Sequence, residues 1–392
     1  MVTLDLQSVL GDRGQRDRLL RTHTLLAMSV ARREQLATAS EHPDHEDWLD
    51  FAERNRVGPI VAHALLDMGV TGATHQRATA IHEASAARMR VLMDQMDLVA
   101  DRLAEVGIPL VALKNAGIAR GIFSCPACCP MGDIDTLIER DRFREAHRLV
   151  EELGFKIATR AALVEEGTLE DGLESGGTEY IRSVGGEDVW LELQWRAVAG
   201  RWIRPDQEPQ SSDLLARSVE IPGSSVRLLG PADNMIQVGL HTAKHSYVRA
   251  PGLRLHTDVD RLNAFATPDW TQVIDHATRL RIRTPVYFSL SLAQALLGSE
   301  IPSEVLDALA PARWKRELVG RWVRRVDVFE PNEKKFTRPG MMVFHGLLYD
   351  SLTGFTASVL DTEPEKLGLR HLPRNVRTGF KRVKDLATRY QR

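Results

Sequence analysis

Asp133 and Asp135 stand two apart in DIDTLI, a segment that reads as a strand. At that spacing both carboxylates leave one face, roughly 6.6 Å apart along the chain, while Ile134 points to the other. Two carboxylates so placed are sufficient first ligands for Mg²⁺, which keeps several waters and completes its shell with substrate phosphates. A third acid on a neighbouring strand would complete a two-metal clamp, and Glu192 in LELQW is the candidate. It alternates with Leu191, Leu193 and Trp195, so it projects away from the apolar face. Lys114 closes the apolar run IPLVALK ahead of a helix. Taken alone, an Asp-x-Asp also describes a strand end with two solvated acids, and Lys114 also reads as a surface cap.

Other residues carry weaker chemical signals. Cys125, Cys128 and Cys129, the only cysteines, have CxxCC spacing, but a structural zinc site wants four ligands and the neighbouring sequence offers no obvious fourth. An odd, close cluster is not a secreted disulfide framework, so a reducing, cytoplasmic location is expected. His241 and His245 lie one helical turn apart, yet HTAKH lacks the glutamate of HExxH, which favours helix packing or substrate contact over zinc hydrolysis. Asp258 either orients His245 or caps a helix.

These residues need elements to hold them. Apolar positions Met89, Leu92, Met93, Met96, Val99, Leu103 and Val106 recur at three and four, which predicts a long amphipathic helix with methionines as core filling. Before it, DWLDFAERNRVGPIVAHALL reads as two short helices meeting at a bend near Gly58 and Pro59. From Gly107 the order is strand, helix, strand, helix: Ile108 to Lys114, AGIARGIF, Asp133 to Ile138, and a helix whose face carries Phe143, Ala146, Leu149 and Val150. The runs EYIRSV and DVWLELQW flank Gly185 and Gly186, a hairpin signal. PADNMIQVGLHTAKH opens a further helical region, with Pro231 and Asp233 where a helix start prefers them.

Composition limits the partners. The chain has 392 residues, and its 51 Lys and Arg nearly cancel its 53 Asp and Glu, leaving a net charge of -2. No global field favours nucleic acid or a membrane surface, so any basic partner site is local. No signal peptide or membrane span is expected. The basic ending RHLPRNVRTGFKRVKDLATRYQR reads chiefly as a solvated helical face, with phosphate contact as the other reading.

The stretch LKNAGIARGIFSCPACCPMGDIDTLIERDRFREAHRLVEELGF resembles the uncharacterised nucleotidyltransferase family of the polymerase-β-like superfamily. That family's pattern is a strand ending in Leu-Lys-Gly, a helix, then Arg-Pro-Met-Gly-Asp-Ile-Asp and another helix. DWLDFAERNRVGPIVAHALL is similar to its amino-terminal helix, LELQW to its Asp-Leu-His-Trp strand, and LHTAKHSYVRAPGLRLHTDVDRL to its later His and Asp segment; IPSEV, Ile301 to Val305, also looks family-like. The likeness runs from about residue 45 to 310. It implies an α+β fold, with a small mixed-sheet nucleotidyltransferase core over 107–230, an N-terminal helical region over 1–106, and a C-terminal helical region with its basic tail over 231–392.

The resemblance further implies that Asp133, Asp135 and Glu192 bind one or two Mg²⁺ ions and that Lys114, Asn115 and Gly132 meet a nucleoside triphosphate. The expected reaction is transfer of a nucleoside monophosphate to a small-molecule or peptide acceptor, with nucleic acid a less favoured partner. Three positions depart from the pattern: Asn115 replaces glycine, Cys129 replaces arginine and Gln194 replaces histidine. They motivate an alternative, an impaired member that binds a nucleotide, peptide or small molecule without turnover. An Asp-x-Asp glycosyltransferase is disfavoured, because it needs a large nucleotide-binding α/β region where this sequence is helical.

Overall fold

The structure is a computed structural model that describes residues 14–158, 168–198 and 203–360. The basic tail lies outside the described residues. The described residues begin with α1 (Gln15–Met28), α2 (His45–Arg54), α3 (Gly58–Asp67) and the long α4 (Gly72–Ala104). Asp44 caps α2 by accepting from the backbone N–H groups of Glu46 and Asp47. Pro59 sits in the first turn of α3, where its missing N–H costs nothing, so the bend between α2 and α3 falls where sequence placed it. Met89, Leu92, Met96, Val99 and Leu103 form the buried stripe of α4, whereas Val106 lies past its end and is exposed.

The sheet region follows as β1 (Leu110–Ala112), α5 (Lys114–Gly121), β2 (Ile134–Leu137), α6 (Phe143–Glu152), β3 (Lys156–Ile157), α7 (Leu169–Ser175), β4 (Gly177–Val184), β5 (Glu187–Gln194), α8 (Ser211–Ala216), β6 (Val219–Glu220) and β7 (Val226–Leu228). Among the described residues the strands form one mixed sheet ordered β3-β4-β5-β2-β1-β7-β6. The central pairs are β5 with β2 and β1 with β7, both parallel, and β2 with β1, antiparallel. Strands β1 and β2 are buried along their whole length, as expected of runs covered on both faces. Gly185 and Gly186 both take positive φ, 60° and 86°, the backbone that a tight two-residue turn between β4 and β5 requires.

Two of the boundaries that differ from the sequence reading bear on the acidic residues and Lys114. The first strand covers only Leu110–Ala112, because Lys114 turns to φ +52° and opens α5 instead of ending the strand. Strand β2 starts at Ile134, so Asp133 sits just ahead of it. Beyond the sheet come α9 (Pro231–Lys244), α10 (Arg254–Arg261), α11 (Trp270–Arg279), α12 (Arg283–Leu297), α13 (Ser303–Leu309), α14 (Arg313–Val326), α15 (Arg338–Leu348) and α16 (Leu352–Leu360). Helices α9 and α10 pack against α12 and also reach α5, which brings their ends over the carboxylate-bearing edge of the core. The fold is therefore α+β, a small mixed sheet flanked by helical regions. Among the described residues no helix is long and apolar enough to cross a membrane.

Candidate functional site

The register of the central strands builds the site. Asp135 on β2 is the cross-strand partner of Glu192 on β5, so both side chains leave the same face at the same level. The opposite face carries Ile134, Leu191 and Leu193, all essentially inaccessible to solvent. Burial of each is worth about 1.5–3 kcal/mol, so a slip of one residue, which would turn the acids into that core, is strongly disfavoured. Asp133 joins them from the residue before β2. Ligand oxygens of Asp133, Asp135 and Glu192 all lie within 4.8 Å of one another, close enough to share one cation.

Lys114 reaches the same point from the other side. The backbone N–H of Leu113 donates to Asp135 O at 2.9 Å, extending the ladder one residue past β1 and setting Lys114 beside the acid. Its Nζ donates to Asp135 Oδ1 at 2.5 Å, with only 13% and 9% of the two side chains exposed. Burial opposes the Lys114 charge, but Asp135, Glu192 and Asp133 outweigh it and hold the ammonium well above its ordinary pKa. Burial likewise pushes Asp135 up to about 6; Lys114 pulls it down, and the nearby Glu192 charge pushes it up again. An acid cluster with one resident cation is short of positive charge, and its all-oxygen donor set is the hard kind that Mg²⁺ prefers.

The three departures from the family pattern acquire physical meanings. Left-handed backbone falls on Lys114 rather than on Asn115, so the asparagine is not needed to relieve strain. Gln194 donates through Nε2 to Asp135 Oδ1 at 3.1 Å and so helps fix the carboxylate. Cys129 removes an arginine, yet the Arg261 guanidinium, from α10, approaches Cys129 Sγ at 3.1 Å and donates to Cys128 O at 2.9 Å. A guanidinium therefore stands beside position 129 after all. A Cβ at Gly132 would meet nothing within 4 Å, which leaves the space beside this exposed residue open.

Sequence reasoning missed the helical side of the site. Lys244, at the end of α9, is held below its ordinary pKa by burial and then by the Lys114 charge, while Glu192, Asp135 and Asp133 act in the opposite sense. It thus lies within electrostatic reach of every member of the cluster. Arg254, the first residue of α10, feels both Asp258 and Asp133, and its buried Nε has no hydrogen-bond partner among the described residues. Nothing in linear spacing links residues 244 and 254 to 133; only the docking of α9 and α10 on α5 does. His241 and His245 pack edge to face at 4.8 Å, and burial keeps both neutral, with His245 lowered to about 3. Asp258 lies inside α10 rather than at a cap; burial raises it to about 7 against the pull of Arg261 and Arg254.

Residues 41–298 match the family described as uncharacterised nucleotidyltransferase. The chain belongs to that family. Membership makes it a transferase of the nucleotidyl class, and the acidic cluster lies inside the matched region. No curated protein and no solved structure matches the chain.

Proposed function

We propose that the protein transfers a nucleoside monophosphate from a nucleoside triphosphate to an acceptor hydroxyl or phosphate, using Mg²⁺ held by Asp133, Asp135 and Glu192. The observation that carries this reading is the convergence of three carboxylates and Lys114 from β2, β5 and the start of α5. Bound Mg²⁺ would neutralise triphosphate charge and favour an ionised acceptor oxygen. Lys114, Lys244 and Arg254 would hold the phosphate chain from the helical side, and Gly132 with Asn115 would border it. The acceptor oxygen attacks the α-phosphorus while the bond from that phosphorus to the pyrophosphate oxygen breaks, so pyrophosphate leaves with its electron pair. Glu192 would take the acceptor proton. Catalysis of this kind is mainly positional and electrostatic.

The test uses each labelled nucleoside triphosphate with a cell extract as the source of acceptor, comparing wild type with Asp133→Ala. Label transfer and pyrophosphate release that vanish in the variant support the reading. Transfer that survives removes this site from consideration. Mg²⁺-dependent nucleotide binding without pyrophosphate release, read by calorimetry, would instead favour the binding-only alternative that Asn115, Cys129 and Gln194 suggest.

A further inference from the structure

Outside the acidic site, two cysteines of the loop between α5 and β2 meet two histidines, one on α3 and one on α4. His63 on α3 points Nδ1 at Cys128 Sγ, 3.0 Å away, and His82 on α4 points Nε2 at Cys125 Sγ, 3.5 Å away. The two sulfurs are 2.8 Å apart and the imidazole centroids 5.0 Å apart. One ligand atom from each of the four lies within 4.8 Å of the other three. A tetrahedral Zn²⁺ with ordinary Zn–S and Zn–N bonds places its ligand atoms roughly 3.3–3.8 Å from one another. Each of the three contacts is within about 1 Å of that spacing, which small side-chain rotations can close.

We propose that His63, His82, Cys125 and Cys128 form a structural Zn²⁺ site. The missing partners of the CxxCC segment are two histidines carried by separate helices, which is why linear spacing near the cysteines does not reveal them. Binding would release the two thiol protons, leaving two thiolates and two neutral imidazoles around Zn²⁺, with zero net charge and no change of oxidation state. Four protein ligands leave no open position, so the site is structural rather than catalytic. Cys129 is not a member, since its sulfur faces Arg261.

The surroundings have the features of an outer shell. His63 Nε2 lies 3.5 Å from Asp67 Oδ1, one helical turn on, a carboxylate placed to orient the ring. Ser85 Oγ donates to Ala127 O at 2.7 Å and ties the loop to α4 between the two cysteines. The site would fasten the loop that leads into Asp133 to the N-terminal helices, and so set where β2 begins.

The alternative chemistry for the same cysteines is a Cys125–Cys128 disulfide, which would leave both imidazoles without a role. The test is elemental analysis of the full-length protein purified without chelator, followed by Co²⁺ exchange and visible spectroscopy. About one zinc per chain is expected, together with a thiolate-to-Co²⁺ charge-transfer band of a tetrahedral site. Cys125→Ser, Cys128→Ser and His82→Ala should lose the metal, whereas Cys129→Ser and Asp133→Ala should retain it. A zinc-selective chelator should lower the melting temperature of wild type and leave that of His82→Ala unmoved. Should the ligand variants fail to fold, the wild-type spectrum decides. No zinc uptake by the reduced protein, a Cys125–Cys128 disulfide in the native material, or zinc content unchanged in all three ligand variants would overturn the proposal.

Discussion

Asp135→Asn sets stability against function in one side chain. The carboxyl of Asp135 sits at about 6 in the folded chain against an ordinary 3.8. One pKa unit corresponds to 1.36 kcal/mol, so keeping Asp135 ionised costs the metal-free fold about 3 kcal/mol. A raised carboxyl contributes stability while it is protonated and loses it as pH rises from about 3.8 through about 6, so the whole cost is present at pH 8. Asparagine keeps Oδ1 as acceptor for Lys114 and Gln194, which both donate to it in wild type, while Asp133 and Glu192 still balance the ammonium. With an unfolding entropy of about 2.1 cal/mol/K per residue, 3 kcal/mol in a chain of this length raises the melting temperature by about 4 °C. Mg²⁺ should reverse the order: at a thousandfold excess over its Kd it stabilises wild type by about 4.1 kcal/mol, and the variant far less. The assay is calorimetric melting of both proteins at pH 8, with EDTA and then with Mg²⁺, beside a transfer assay in which the variant is inactive. A variant that melts below wild type in EDTA, or that gains the same Mg²⁺ shift, refutes the reasoning.

Arg254→Gln should weaken triphosphate binding by about ten- to a hundredfold, the worth of a charge-assisted hydrogen bond, with Mg²⁺ binding to the free protein little changed; calorimetry reads both. Gly117→Ala places a Cβ 2.8 Å from Ala112 O and must push α5 off β1. A loss of about 1–3 kcal/mol in urea unfolding and weaker nucleotide binding through a displaced Lys114 are expected, and unchanged unfolding would contradict the packing described. His256 is buried, donates through Nε2 to Tyr247 O at 3.0 Å, and is lowered by burial to about 4 from 6.5. Its depressed pKa gives stability that is complete above pH 6.5 and lost by about 3 kcal/mol as pH falls to 4, so His256→Gln should flatten the urea midpoint against pH over that interval.

Local patterns carried much of the fold. Alternation through Val189 to Trp195 and the pair Gly185 and Gly186 specify a hairpin with Glu192 on its polar face, and the structure has that hairpin. The Met-containing stripe of α4 and the Pro59 bend also lie where periodicity put them. The end of β1 was read too late, because Asn115 and Gly117 mark the turn only after a lysine that itself takes positive φ at the end of an unbroken apolar run. Of the candidate site, Asp133 and Lys114 could be read from their places at the starts of a strand and a helix, and Asp135 and Glu192 from the alternation of the strands that carry them. Lys244, Arg254, His63 and His82 could not: their relevance comes from helices docking across the chain, a property of tertiary packing rather than of spacing.

Strand β2 is the fourth of seven in the sheet, bonded on both sides, so Asp135 and Glu192 project from a stiff floor. A floor of that kind cannot breathe to suit cations of different radius. It should select the small ion with strict octahedral demands over calcium, which tolerates loose and variable cages. Adaptation to differing substrates would then fall to the helical walls, where Lys244 and Arg254 sit at helix ends outside the sheet.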